Sequence, residues 1–393
     1  MYFPLSSSLL LISLAPAPSA RYEDLVTLFT EWRAFQKPRL VDGVPDYTAS
    51  SMAKQHRELA GYQGRLKAID PSGWPIPQQV DYHLVRAEMN GLDFDHRVLA
   101  PWKNNPAFYV TVFASESDQP AREGPFAWGA VELWSYEFPL SPGDVAAVGS
   151  GVRAVPKLLE QARTNLTGNQ KDLWVYGARS IKDQSNDLAW LLSRLTETQS
   201  QLRATVERAK SATDAFAAWL ESEAPRKTGP SGVGIENYDW YLKNVQLVPY
   251  TWRDEVILME RELARAYSFL ALEENRNAGL PQQDPIATAQ EHTRRFNDAV
   301  TEHMAFLARQ DILRIESYMD RALRERLGEF SPGPREFFSE VDYRDPEIMR
   351  THGYHWFDKG WLEAGGHPSP IRKETLLYNI FDTRTEGLAT GWE

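Results

Sequence analysis

Three of the chain's eight histidines, His352, His355 and His367, fall within sixteen residues near its C-terminal end. Carboxylates accompany them at Asp358, Glu363, Asp382, Glu386 and Glu393. Imidazole and carboxylate are borderline and hard donors, the mixture that a small dication such as zinc takes up. No other stretch of the 393 residues concentrates that chemistry. It marks a site and leaves the substrate open. The chain has no cysteine, so disulfides and thiol nucleophiles are excluded, and any metal must be held by His, Asp and Glu.

Spacing limits how these groups combine. His352 and His355 are three apart, so on a helix they share one face and could both reach one ion. Glu386 and Glu393 are seven apart, about 10 Å along a helix axis. That is too far to ligate one ion easily, and Glu393 reads as a supporting or structural group. His367 precedes Pro368 and so falls outside a helix.

The elements that must carry this stretch are mostly helices. Apolar residues Leu25, Leu28, Phe29 and Trp32 form a helical stripe. A loop with Pro38, Gly43 and Pro45 follows, then helical runs over 50–68 and 80–94, with a proline-rich loop over 70–77 between them. Residues 100–150 are rich in proline and read as an irregular connecting segment, with a short strand expected at 109–113. The run 187–223 places Leu188, Leu191, Leu195, Leu202, Val206, Ala209, Phe216 and Trp219 at three- and four-residue steps. It predicts one long helix, or two in line, packed on a neighbour. Residues 225–234 (PRKTGPSGVG) form a hinge-like break. Helices are expected again over 235–245, over 254–273 with Asp254 or Thr251 as N-cap, and over 285–328. The reading is an all-α fold of long antiparallel helices, a single domain over 21–393, with a cleft near the C-terminal third.

Composition bounds the function. Hydrophobic residues make up 42% and charged residues 25%, ordinary for a globular protein, and 13 Trp, 16 Tyr and 17 Phe suggest an aromatic-lined cleft. A formal charge of −11 without a dense Lys/Arg run argues against nucleic acid as a partner. Residues 1–20 carry no charge, have a short apolar core and end in small residues, resembling a secretory signal and pointing to a periplasmic or secreted protein. That run is too short to span a membrane, and no later one is long enough.

Several stretches together resemble the bacterial family known as domain of unknown function 885. They are the turn Ala68-Ile69-Asp70-Pro71, the run from Val80 to Val85 (VDYHLV), and Val155 to Leu159 (VPKLL) with Asn165 to Thr167. Gly234 to Leu242 (GIENYDWYL) continues the likeness, with Glu255 and Glu262 to Arg265 (ELAR) after it. The last part, Glu386 to Glu393, is similar to the family's Glu-Gly-Trp-Ala-x-Tyr-x-Glu helix. The resemblance implies a mostly helical, metallopeptidase-like fold with a deep cleft. It also implies a His-Glu-x-x-Pro-Gly-His motif about thirty residues before the Glu-Gly helix. Here His355 lies at that distance from Glu386, but Trp356 follows it in place of Glu, and no Pro-Gly-His is present. Family members also continue past that helix, so the chain is expected to be short at its C-terminal end.

The site hypothesis is then a zinc ion held by His355, His367 and Glu386, with His352 a further ligand and water in an open position. Glu363 or Asp358 would serve as general base, and Arg372, Tyr354 and Tyr378 as donors to an oxyanion. The plainer reading is that these histidines are packed, hydrogen-bonded residues. His56, His83, His96, His292 and His303 read as structural or surface groups, and Glu236, Tyr238 and Tyr241 as residues that cap and pack a helix. Two functions follow. One is an exported metal-dependent hydrolase acting on a peptide or small amide substrate. The other is a catalytically inactive helical binding protein that keeps the fold and cleft.

Overall fold

A computed structural model describes residues 21–117, 126–373, 375, 376, 378 and 381–392. The signal-like stretch 1–20, Glu393 and the side chain of Asp382 lie outside what is described. Helix dominates, as the sequence predicts, with two minor two-stranded pairings.

The N-terminal unit packs α1 (Tyr22–Phe35), α2 (Ala49–Lys67) and α3 (Ile76–Phe94) around Leu28, Trp32, Leu59, Val85 and Met89. Between α1 and α2, β1 (Leu40–Val41) and β2 (Val44–Pro45) form a hairpin. Its turn residues Asp42 and Gly43 both have positive φ, the geometry a tight two-residue hairpin needs. Helix α3 begins earlier than expected because Pro77 sits in its first turn, where the missing N–H costs nothing. A wider turn over Asp95–Leu99 and the short α4 (Pro101–Asn104) follow.

The irregular segment carries β3 (Val112–Phe113), paired in parallel with β4 (Val131–Glu132). The strand is shorter than expected, since Pro106–Tyr109 forms a tight helical turn instead. The buried Gln184 side chain accepts from the Thr111 and Val112 amides at 2.7 and 3.1 Å, fastening this segment to the helices behind it.

Those helices are α5 (Pro142–Asn165), α6 (Lys171–Arg194) and α7 (Ser200–Glu223), packed as a three-helix unit. The apolar stripe over 187–223 is real but folded in two, which corrects the expectation of helices in line. Leu195 is extended, and Thr196 and Gln199 form a reciprocal capping box that starts a new helix turned back on α6. Helix α5 starts at Pro142, inside the segment expected to be irregular, because the Ser141 hydroxyl accepts from the Asp144 amide at 3.2 Å. The glycine-rich stretch near 229 lies against 169–171, with the Gly229 amide donating to the Asn169 carbonyl at 2.8 Å.

Helices α8 (Ile235–Tyr241) and α9 (Trp252–Asn277) come next, the latter opened by a capping box of Thr251 and Asp254. The expected helix over 285–328 is interrupted: α10 (Ala289–Gln310) stops at Asp311, which is left-handed, before α11 (Met319–Arg324). The chain closes through α12 (Phe337–Arg344), α13 (Ile348–His352), α14 (Tyr354–Glu363) and α15 (Phe381–Trp392). Val300, Leu307, Met319, Leu323 and Phe357 hold α10, α11 and α14 together. Among the described residues no helix is long and apolar enough to cross a membrane.

Candidate functional site

The histidine-rich stretch is split by the fold. His352 ends α13 and His355 is the second residue of α14, with Gly353 at the junction. A β-carbon on Gly353 would lie 2.6 Å from Leu323 Cδ2 and 2.8 Å from the Arg350 carbonyl, so this junction requires glycine. The junction brings the two imidazole rings to 4.8 Å, centre to centre. His355 is buried, and its Nε2 is 3.8 Å from Glu386 Oε2 on α15. One turn further along α14, the buried Asp358 accepts from the buried Thr385 hydroxyl at 3.2 Å. Polar contacts from the neighbouring residues Thr385 and Glu386 thus join α15 to α14.

Beside this pair lies a cavity of about 350 Å³, lined by Tyr354, Phe357, Asp358, Trp361, Leu388 and Trp392 among others. Tyr354 stacks on Trp392 with centroids 6.0 Å apart. The cavity therefore has aromatic walls, the Asp358 carboxylate and the Arg314 guanidinium, a composition that grips an apolar body and offers it both an acceptor and a donor.

The other expected site residues sit elsewhere. Glu363 is half exposed and paired with Arg326 at 3.1 Å, with Arg321 at 4.0 Å. His367 lies against Trp361, edge to face, and its Nδ1 accepts from the Ser369 amide at 3.0 Å. Burial, then nearby Arg372, holds its pKa below the usual imidazole value. Arg372 donates from Nε to Asp81 Oδ1 at 2.7 Å, while Tyr22 and Ser369 donate to Asp81 Oδ2 at 2.6 and 2.8 Å. Burial, then the bond to Asp81, pushes the Tyr22 hydroxyl up to about 12. The Tyr378 hydroxyl donates to Asp95 at 2.9 Å, and the Tyr378 amide donates to Glu88 at 2.8 Å. Burial pushes Asp95 up to about 7, and burial together with Asp95 raises Tyr378 well above its ordinary value. Among the described residues, no three His, Asp or Glu groups stand close enough to hold a metal ion. His352, His355 and Glu386 stand together, while His367 is held elsewhere.

A feature that sequence reasoning missed is the row Asp81, Glu88 and Asp95, each buried and seven residues from the next along α3 and its extension. Asp81 receives Ser369 and Arg372, and Glu88 and Asp95 receive Tyr378. The signal was available: three carboxylates at heptad spacing on a helix whose other residues on that face are apolar. His292 and His303, read from the sequence as structural or surface groups, are buried in α10 near Arg350, with His292 stacked on Phe296 at 3.8 Å.

A family model described as "Bacterial protein of unknown function (DUF885)" matches residues 33–354. His355 and Asp358 lie just beyond the matched stretch, and Glu386 lies further along the chain. No curated protein matches the chain. Among solved structures, the chain is similar to a candidate lipoprotein of unknown function from Shewanella oneidensis. The identity is 14%, the TM-score 0.58, and the match covers 94% of this chain and 76% of that one. At that identity the likeness speaks for the fold.

Proposed function

This chain belongs to the DUF885 family of bacterial proteins of unknown function, and from that premise we propose that it is an exported, helical binding protein for peptides or other small amides. The observation that carries the reading is the cavity of about 350 Å³ between α11, α14 and α15. Its rings take up an apolar side chain, and Asp358, oriented by Thr385, accepts from an amide or ammonium group. The signal-like N-terminal residues and the lipoprotein description of the similar structure support export. In this reading the peptidase-like cleft is kept while the groups expected to catalyse are engaged in structural bonds: Glu363 with Arg326, Arg372 with Asp81, Tyr378 with Asp95. The test is titration of a mixed set of short peptides against the chain, followed by the fluorescence of Trp361 and Trp392. Saturable binding that Asp358→Asn weakens at least tenfold is expected; no binding by any peptide would refute the reading.

A second reading is a metal-dependent hydrolase, favoured by one observation: His352, His355 and Glu386 stand together where α13, α14 and α15 meet. Zinc content of the purified chain, with peptide hydrolysis measured with and without chelator, separates the two. Chelator-sensitive cleavage would establish the hydrolase and displace the binding reading.

A further inference from the structure

Helix α9 has no buried residue along its 26 positions. Eight large apolar side chains stand out from it: Val256, Ile257, Met259, Leu263, Tyr267, Phe269, Leu270 and Leu272, each 40–68% exposed. Together they expose on the order of 900 Å², where a standard interface buries roughly 800 Å² per partner and a monomer shows patches of a few hundred. Near its N-terminal half, α9 faces α8 across an open groove of about 890 Å³, lined by Ile235, Tyr238, Val256, Met259 and Leu263 among others. Its C-terminal half is apolar on opposite sides, with Leu263, Tyr267 and Leu270 on one and Phe269 and Leu272 on the other. A helix of that kind needs enclosure by two walls, and the groove has two.

We infer that this surface is a self-association site, in which the C-terminal half of α9 from each of two copies fills the groove of the other. The argument is one of register. Trp252, Val256, Met259, Leu263, Ala266 and Leu270 follow alternating steps of four and three, the seam of an antiparallel helix pair. Setting Leu263 against Ala266 of the second copy places Met259 against its Leu270, large side chain against small at the centre and medium against medium outside. The same register sets Glu255 beside Arg276 of the second copy and Arg253 beside its Glu274, so the flanking charges are opposite at both ends. The arrangement is twofold and closes on itself. A lipid surface fits less well, because α9 carries six acidic residues against four arginines and would be repelled by anionic headgroups.

Sedimentation equilibrium of the whole chain over a range of concentrations tests this. A reversible dimer is expected. Glu255→Arg or Arg276→Glu alone should weaken it at least tenfold, and the two together should restore it. Glu255 also accepts from Tyr238 of α8 at 2.8 Å and Arg276 pairs with Glu273 at 3.3 Å. Tyr238→Phe, which removes the first of these bonds without touching the charge pairing, therefore serves as a control that should leave the dimer intact, and matching far-ultraviolet circular dichroism verifies that every variant keeps the fold. The chain lacks cysteine, so a mixture of M259C and L270C chains should cross-link on mild oxidation. M259C alone should not, since its two copies would lie about 16 Å apart along the pair. A monomer at every concentration, association indifferent to the charge exchange, cross-linking of M259C with itself, or flotation with anionic vesicles without self-association would each overturn the proposal.

Discussion

Replacing Asp95 by Asn should remove most of one pH-dependent term in this protein's stability. Asp95 is buried where α3 passes into the wider turn, and it accepts from the Tyr378 hydroxyl. Burial lifts its pKa from 3.8 to about 7. In the unfolded chain it ionises near the lower value. Between pH 4 and 7 the folded state therefore keeps a proton that the unfolded state has lost, and stability falls as pH rises through that window. Below pH 4 both states are protonated and the term is fully present; above pH 7 it is gone. The gap between 3.8 and about 7, at about 1.36 kcal/mol per pH unit, sets an upper bound of about 4 kcal/mol. Asn stays neutral at every pH and still accepts from Tyr378. In urea unfolding the variant should match the native chain within about 1 kcal/mol at pH 4 and exceed it by about 2–4 kcal/mol at pH 8. Asp342, raised to about 6 mainly by burial, titrates in both proteins and cancels in the difference. Identical pH profiles for the two proteins would refute the reasoning.

Gly91→Ala should cost about 1–3 kcal/mol, since a β-carbon there would overlap the partly buried Tyr378 ring; thermal denaturation reads it directly. Asp81→Asn breaks a charge-assisted bond to Arg372, and a loss of about 1.5–3 kcal/mol is expected, together with faster proteolysis within 367–378. Thr385→Val leaves Asp358 short of a donor while keeping the side chain's shape, so peptide affinity should fall while the melting temperature drops by no more than a few degrees.

Helix content and the composition of the N-terminal core were legible because periodicity reports burial directly: Leu25, Leu28, Phe29 and Trp32 pack as their spacing implies. Direction was less legible. The stripe through Leu191 and Leu202 has the same period whether the chain runs straight or doubles back. Only the capping box at Thr196 and Gln199 distinguishes the two. For the candidate site, nearness in sequence failed where a long-range partner intervened. Arg372 and Tyr378 are close to His355 along the chain, yet they answer to Asp81 and Asp95, nearly 300 residues away, and His367 is held by the amide of Ser369. The pairing of His355 with Glu386 spans 31 residues and followed from the family likeness; residue types alone did not specify it.

The most direct test of the proposed function is calorimetric titration of the metal-free chain with short peptides bearing an aromatic or aliphatic side chain, repeated with Asp358→Asn and Trp361→Ala. The account predicts saturable binding without metal, weakened in both variants. Binding that both variants leave unchanged, or that appears only when zinc is supplied, would contradict it.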